Sequence, residues 1–196
     1  MKIAEYISKP DWFIDLGVGP SVQEAAIARE VWPDVKIIGA EPTEDRRREL
    51  QSTFPGELLP YVVGDRDDTY EFYVNPDKRL WSCFGGPGDE KITLPGIKLD
   101  TMSEKYGPFV NAVVWADIEG SELAMLLGAR KLMEQGCIVG FHLEVRPAGL
   151  FDGWCTAGQV HKFLTSYDFE LVYTLKPKGR SKHYDAIYVA SGCLST

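Results

Sequence analysis

The stretch that most restricts this chain is Phe13-Ile14-Asp15-Leu16-Gly17-Val18-Gly19-Pro20-Ser21, followed by a second apolar run that ends on an acid, Ile37-Ile38-Gly39-Ala40-Glu41-Pro42. A short, nearly continuous apolar run reads as a strand covered on both faces, and Gly-x-Gly directly after it reads as a tight turn into a helix. The second strand brings a carboxylate to its tip about twenty residues past the glycines, the distance at which α/β folds hold a ribose. These few residues already predict parallel strands and a cofactor that contains a nucleoside.

The rest of the chain keeps the alternation of strand and helix. Strands are predicted at Trp12 to Leu16, Val35 to Ala40, Leu58 to Val63, Ala112 to Ile118 and Cys137 to Val145, and Phe169 to Leu175 with Tyr184 to Ala190 reads as a terminal antiparallel hairpin. Helices are expected from Ser21, where Ser21 and Glu24 make a capping-box pattern, to Trp32-Pro33, and from Thr43 to about Phe54. Two more are expected from Ser121 to Gly136, with Gly128 packing closely on the sheet, and from Ala157 to Tyr167. Together they predict an α/β fold, Rossmann-like and doubly wound, with a mostly parallel seven-stranded sheet. Two Gly/Pro-rich stretches, Asn75 to Gly96 and Arg146 to Gly158, break the pattern and carry Trp81, Phe84, Phe151 and Trp154, aromatics suited to walling a sugar or planar acceptor.

Composition narrows the function. A chain of 196 residues fits one domain, residues 1–196, and its opening residues are too short and mixed for a signal peptide, so a soluble cytoplasmic protein without a membrane partner is expected. The four cysteines form no C-x-x-C pair, which argues against a disulfide scaffold or a zinc site. A net charge of -8 repels phosphate backbones, so nucleic acid is not the expected partner and a small-molecule acceptor is. Arg46, Arg47 and Arg48 read as a solvated helix face.

The neighbours of the glycine turn choose between cofactors. A dinucleotide turn wants a third glycine where this chain has Val22, and it places a doubly anionic pyrophosphate at the helix start. Asp15, two residues ahead of Gly17, would oppose that pyrophosphate. S-adenosyl-L-methionine carries a sulfonium and an ammonium and no phosphate, so the same carboxylate favours it, and Glu41 can accept from both ribose hydroxyls.

Further on, Val113-Val114-Trp115-Ala116-Asp117-Ile118-Glu119-Gly120-Ser121-Glu122 continues into Leu123-Ala124-Met125-Leu126-Leu127-Gly128-Ala129. This strand ending Asp-x-Glu-Gly-x-Glu, with Leu-x-Gly-Ala in the helix after it, resembles the signature of the FkbM-type S-adenosylmethionine-dependent methyltransferases. The order of the other blocks agrees: Glu41-Pro42, Val63-Gly64-Asp65 before Tyr70-Glu71-Phe72-Tyr73-Val74, Ile97-Lys98-Leu99-Asp100-Thr101-Met102, and Phe141-His142-Leu143-Glu144-Val145. The chain departs from the family where Gly-Ala-Asn-x-Gly is Gly17-Val18-Gly19-Pro20-Ser21, and where a lysine two residues before the motif aspartate is Trp115. The resemblance spans about Trp12 to Val145. It implies the class I methyltransferase type of fold, with Asp15, Gly17 and Gly19 along the donor's methionine and ribose, Glu41 on the ribose hydroxyls and Asp65 near the adenine.

Transfer of a methyl group to an alcohol needs alignment and a base. The candidates are Asp117, Glu119, His142 and Glu144, which two strands deliver to the carboxyl edge of the sheet. The expected reaction is methylation of an oxygen on a sugar or secondary metabolite, without a metal, although Asp117, Glu119 and Glu144 could in principle gather around magnesium. Glu122, in the first turn of its helix, is expected only to complement the helix dipole. Two other readings stand beside this one: a nicotinamide-dependent oxidoreductase on the same fold, and a binding module for the methyl donor that has lost turnover.

Overall fold

A computed structural model of the chain describes residues 1–19, 22–75, 80–85, 88–147, 152–175 and 183–194, with the backbone alone at 80 and 81. Ser21 of the expected capping box, Phe151, the Trp81 side chain and the basic loop 176–182 lie outside the described residues.

Apart from Leu58 to Val63, the apolar runs become strands close to where they were expected. β1 (Trp12–Leu16) pairs in parallel with β2 (Lys36–Ala40) on one side and β8 (Ala112–Ala116) on the other. β3 (Glu57–Leu59) extends the parallel sheet beyond β2, and β9 (Ile138–Val145) extends it beyond β8. The hairpin strands β10 (Phe169–Leu175) and β11 (Tyr184–Ala190) complete seven strands in the order β3-β2-β1-β8-β9-β11-β10. β11, the later strand of the hairpin, is the one that pairs with β9, antiparallel.

Alternating side chains of β1 serve two cores. Ile14 and Leu16 face a layer formed by α3 (Leu99–Tyr106), α4 (Glu122–Leu127), α5 (Arg130–Glu134) and α6 (Ala157–Thr165). Phe13 faces α1 (Gln23–Val31) and the end of α2 (Glu44–Leu50) together with Ile3 and Ile7. The period of two along the strand thus produces a layer of helices on each face.

Three boundaries differ from expectation. The run Leu58 to Val63 is split: Pro60, which has no N–H for a ladder, separates β3 from β4 (Val62–Gly64), and β4 joins a different sheet. That second sheet, in the order β4-β7-β5-β6, is built with β5 (Thr69–Asn75), β6 (Leu80–Ser82) and β7 (Glu90–Lys98), so much of the segment read as irregular is strand. β5 shows its period of two, with Tyr70 and Phe72 buried, whereas Pro95 and Gly96 disguise the end of β7.

The helix expected from Ser121 to Gly136 is broken into α4 and α5 around Gly128. A Cβ at Gly128 would lie 2.0 Å from the Gly64 carbonyl oxygen, so the close approach is to β4. The break is stabilised from α3: the Asp100 N–H donates to the Gly128 carbonyl at 2.9 Å, and the Asp100 carboxylate accepts from the N–H groups of Lys131 and Leu132. Those are N–H groups that the start of α5 would otherwise leave without partners.

Candidate active site

The carboxyl ends of β1, β2 and β8 open into a cavity of about 580 Å³. Gly17 and Gly19 border it from the β1 turn, Glu41, Pro42 and Arg46 from the β2 side, and Asp117, Ile118 and Glu119 from the β8 side. Tyr61, Val62, Val63, Phe72 and Cys83, from the link into the second sheet and from that sheet, close the far wall.

Gly17 is required twice over. Its φ of +76° is a conformation that side chains rarely adopt, and a Cβ there would sit 2.0 Å from the Asp117 carbonyl oxygen. Its N–H donates to the Ala40 carbonyl, which joins the turn to the tip of β2. At Gly19 a Cβ would meet nothing within 4 Å, so this residue leaves open space at the cavity edge. The helix start after the turn has Val22 as its N-cap, with no side-chain cap bond.

Asp15 lies one step behind the cavity, 2% exposed, on the face that α1 covers. Its Oδ2 is buried and has no hydrogen-bond partner among the described residues. Burial, followed by the charges of Glu24 and Asp117, pushes the carboxyl up to about 8.

Glu41 does reach the cavity. Its Oε1 accepts from the backbone N–H and the hydroxyl of Thr43, while Oε2 faces Arg46 Nη1 at 4.0 Å, beyond hydrogen-bond distance. Burial raises its proton affinity and the Thr43 bonds oppose that rise. One oxygen is therefore held by the protein and the other is directed at the space where a ribose hydroxyl could donate. Arg46, which the sequence placed on a solvated face, turns inward here. Asp65 borders a neighbouring cavity of about 360 Å³ that shares Val62, Val63, Cys83 and Ser121 with the first, and its Oδ1 accepts from Tyr70 Oη at 2.8 Å and from Arg66 at 3.2 Å.

The acids of β8 and β9 come together as expected. Asp117, Glu119 and Glu144 each place an oxygen within 4.8 Å of the others. Asp117 is exposed by surface area, but that surface opens into the concave cavity, so protein surrounds the group; burial, then Glu119, Glu122, Asp185 and Glu24, raise it to about 7. Glu144 is raised to about 8 by burial and by Asp117, Glu119 and Asp185, with Arg146 opposing. Carboxylates at this spacing could ligate a hard divalent cation. Two of them already face basic groups, Glu119 with Arg146 at 3.5 Å and Glu144 with His183 at 3.4 Å.

His142 shares the β9 face with Glu144 but stays below the cavity. Its ring packs 3.5 Å from Trp115, is 5% exposed, and directs Nε2 toward Asp185 at 3.6 Å. Asp185 pairs across the β9–β11 ladder with Glu144 itself.

The turn after β8 is unusual. Glu119 has φ +50° and Gly120 φ +92°. A non-glycine residue held there costs on the order of 1–3 kcal/mol and persists only where its surroundings impose it. Glu122 is part of those surroundings: its buried carboxylate accepts from the Gly120 N–H at 3.2 Å and from the Cys155 thiol at 3.2 Å. This goes beyond the dipole role read from sequence. Trp154, expected as an open stacking wall, is 6% exposed and packs on Gly120, Phe84 and the Arg146 guanidinium.

Arg146, Asp185 and His183 were not singled out in the sequence as site residues, and Arg46 was read there only as part of a solvated helix face. Only Arg146 had a visible signal, its place in the second irregular stretch.

The Methyltransferase FkbM domain model matches residues 17–171. No curated protein sequence matches the chain. Among solved structures, it is similar to the magnesium protoporphyrin IX methyltransferase of Synechocystis PCC 6803 with bound SAM (11% identity, TM-score 0.50, covering 96% of this chain and 74% of that one). It is also similar to M. capricolum TrmK in complex with S-adenosyl-homocysteine (9%, TM-score 0.54, covering 100% and 68%). A third likeness is to Aeropyrum pernix fibrillarin with natively bound S-adenosyl-L-methionine (11%, TM-score 0.50, covering 93% and 68%). At these identities the structural likenesses speak for the fold alone.

Proposed function

The chain belongs to the FkbM family of S-adenosylmethionine-dependent methyltransferases, and from that premise we propose that it methylates an oxygen of a small neutral acceptor, a sugar or secondary metabolite. The observation that carries this reading is the convergence of Asp117, Glu119 and Glu144 at the edge of the cavity that the glycine turn borders.

The residues present fit the donor. Gly19 leaves space at the cavity edge, Glu41 directs one carboxylate oxygen into it, and Asp117 beside the turn, raised to about 7, is a carboxyl that a nearby sulfonium and ammonium would draw toward its ionised form. When bound, the donor supplies an activated methyl group on a positively charged sulfur. In this reading Gly17, Gly19 and Asp15 shape its methionine side, Glu41 with Arg46 holds the ribose, and Asp65 stands toward the adenine.

Asp117 is the proposed general base. A carboxyl raised to about 7 is largely ionised just above neutrality and still binds a proton well, the balance that acid–base catalysis favours. It takes the proton of the acceptor hydroxyl as that oxygen bonds to the methyl carbon and the carbon–sulfur bond breaks. Glu119, paired with Arg146, accepts from a neighbouring acceptor hydroxyl, and Glu144 shares the released proton with Asp117. His142, expected among the catalytic candidates, lies behind them with Nε2 3.6 Å from Asp185 and takes no step. The net charge of -8 and the acidic rim oppose a polyanionic acceptor such as nucleic acid.

The test is turnover of labelled donor against neutral sugars and hydroxylated metabolites, phosphorylated sugars and RNA, with calorimetry of S-adenosylmethionine, S-adenosylhomocysteine and NAD. Transfer to oxygen of a neutral acceptor is expected. Methylation confined to RNA would refute the acceptor class, and binding of NAD alone would refute the donor site.

A further inference from the structure

The two stretches that break the strand–helix alternation meet at one peptide unit, Glu119-Gly120. From the second sheet, Ser82, 1% exposed, donates its hydroxyl hydrogen to the Glu119 carbonyl at 2.8 Å and accepts from the Phe84 N–H at 3.1 Å. From the segment before α6, the Cys155 N–H donates to the Gly120 carbonyl at 3.1 Å, and the Trp154 ring packs where a Cβ on Gly120 would come within 2.4 Å. From α4, Glu122 receives the Gly120 N–H. The unit is thus tied on both carbonyls and on the Gly120 N–H, while the Glu119 side chain reaches Arg146.

We propose that Ser82 and Glu122 are positioning residues: they lock Glu119 in its left-handed conformation, so that its carboxylate stands beside Asp117 at the cavity. The inference rests on the reading of Asp117 and Glu119 given above. Left-handed backbone at a glutamate reverts to the right-handed or extended region once its outside hydrogen bonds are lost, and either change re-aims the side chain. Ser82 has a second consequence. It ends β6, so the sheet that supplies Phe72 to the cavity wall also sets the acid on the opposite side. Neither residue touches the donor's proposed ribose site at Glu41.

Ser82 is the one to test, because removing the deeply buried Glu122 endangers the fold. Ser82→Ala is expected to leave the dissociation constant for S-adenosylhomocysteine within about twofold while lowering kcat/KM at least about tenfold, and Ser82→Thr, which keeps a hydroxyl, is expected to recover most of it. In a Glu119→Gly background, Ser82→Ala should have little further effect, because the two changes remove one function. A lowered Tm with unchanged kcat/KM, or fully additive losses in the double variant, overturns the inference. So does a crystal structure of Ser82→Ala with S-adenosylhomocysteine in which Glu119 keeps its positive φ and its contact with Arg146; that measurement requires no acceptor. Failure of the wild-type protein to methylate any oxygen acceptor counts against the function proposed above and leaves the crystallographic test of Ser82 intact.

Discussion

Replacing Asp15 by asparagine should change how the stability of the ligand-free protein depends on pH. Asp15 is 2% exposed with an unpartnered Oδ2, and its carboxyl rises from the ordinary 3.8 to about 8. A rise of about four on the pH scale, at about 1.4 kcal/mol for each, means that ionising Asp15 costs about 6 kcal/mol more in the folded chain than in the unfolded one. Because the folded value is the higher, the folded chain holds the extra proton. The stabilisation is fully present below the unfolded value near 4 and is lost as pH rises through about 8. Asparagine cannot ionise, so the variant lacks this loss, but its amide, without partners in the same place, costs about 1–3 kcal/mol at every pH. Urea unfolding at pH 4, 7 and 9.5 should therefore give stability curves that cross between about pH 4.5 and 6: the variant less stable at pH 4 and more stable at pH 9.5 by about 4 kcal/mol. Asp117 and Glu144 are raised too, so both proteins lose stability toward alkaline pH, and the difference between the curves isolates Asp15. Parallel curves would show that Asp15 is not a buried, desolvated acid and would refute the argument.

Asp117→Asn should lower kcat by about 10²–10⁴ with little change in S-adenosylhomocysteine affinity, since it removes a base and leaves the donor contacts. In the parent protein kcat/KM should fall as pH drops through about 7, where Asp117 takes up its proton; a profile flat from pH 5.5 to 8.5 would exclude it as the base. The two glycines should separate stability from binding. Gly17→Ala meets the Asp117 carbonyl and a positive φ and should destabilise the fold by more than about 1 kcal/mol, whereas Gly19→Ala enters open space and should weaken donor binding at nearly unchanged Tm. Treatment with EDTA followed by desalting should leave turnover within about twofold; recovery of lost activity by magnesium or manganese would mean that Asp117, Glu119 and Glu144 hold a metal.

The legible parts of this molecule are the local ones. β1 and its glycine turn, β2 with Glu41, and the hairpin strands follow from apolar runs, period and turn residues that lie within a few positions of one another. Glu41 could be placed because a parallel strand delivers its last residue to one edge of the sheet whatever surrounds it. β7 was hidden because of two signs of a turn: Pro95, which here pairs with Thr69 of β5, and Gly96, which pairs with Val62 of β4 and makes room for the Tyr70 ring. Arg46 was hidden because a helix periodicity does not state which charged face meets a cavity. The break between α4 and α5 was hidden because its stabiliser, Asp100, comes from another helix.

The amino-acid sequence by itself determined the parallel α/β layout, the Gly-x-Gly turn after β1 and which strands carry acids to the same edge, because each depends on short-range pattern and on the fixed direction of parallel strands. Tertiary structure alone decided how those acids behave. Asp15 is raised by burial under α1, Asp117 and Glu144 by burial and by acids from neighbouring segments, and the Glu119-Gly120 turn is held by the Ser82 hydroxyl, which donates to the Glu119 carbonyl from 37 positions upstream, and by Glu122, which accepts the Gly120 N–H. Proton affinity and side-chain aim depend on through-space distance and on exclusion of water, and neither is set until distant segments pack together.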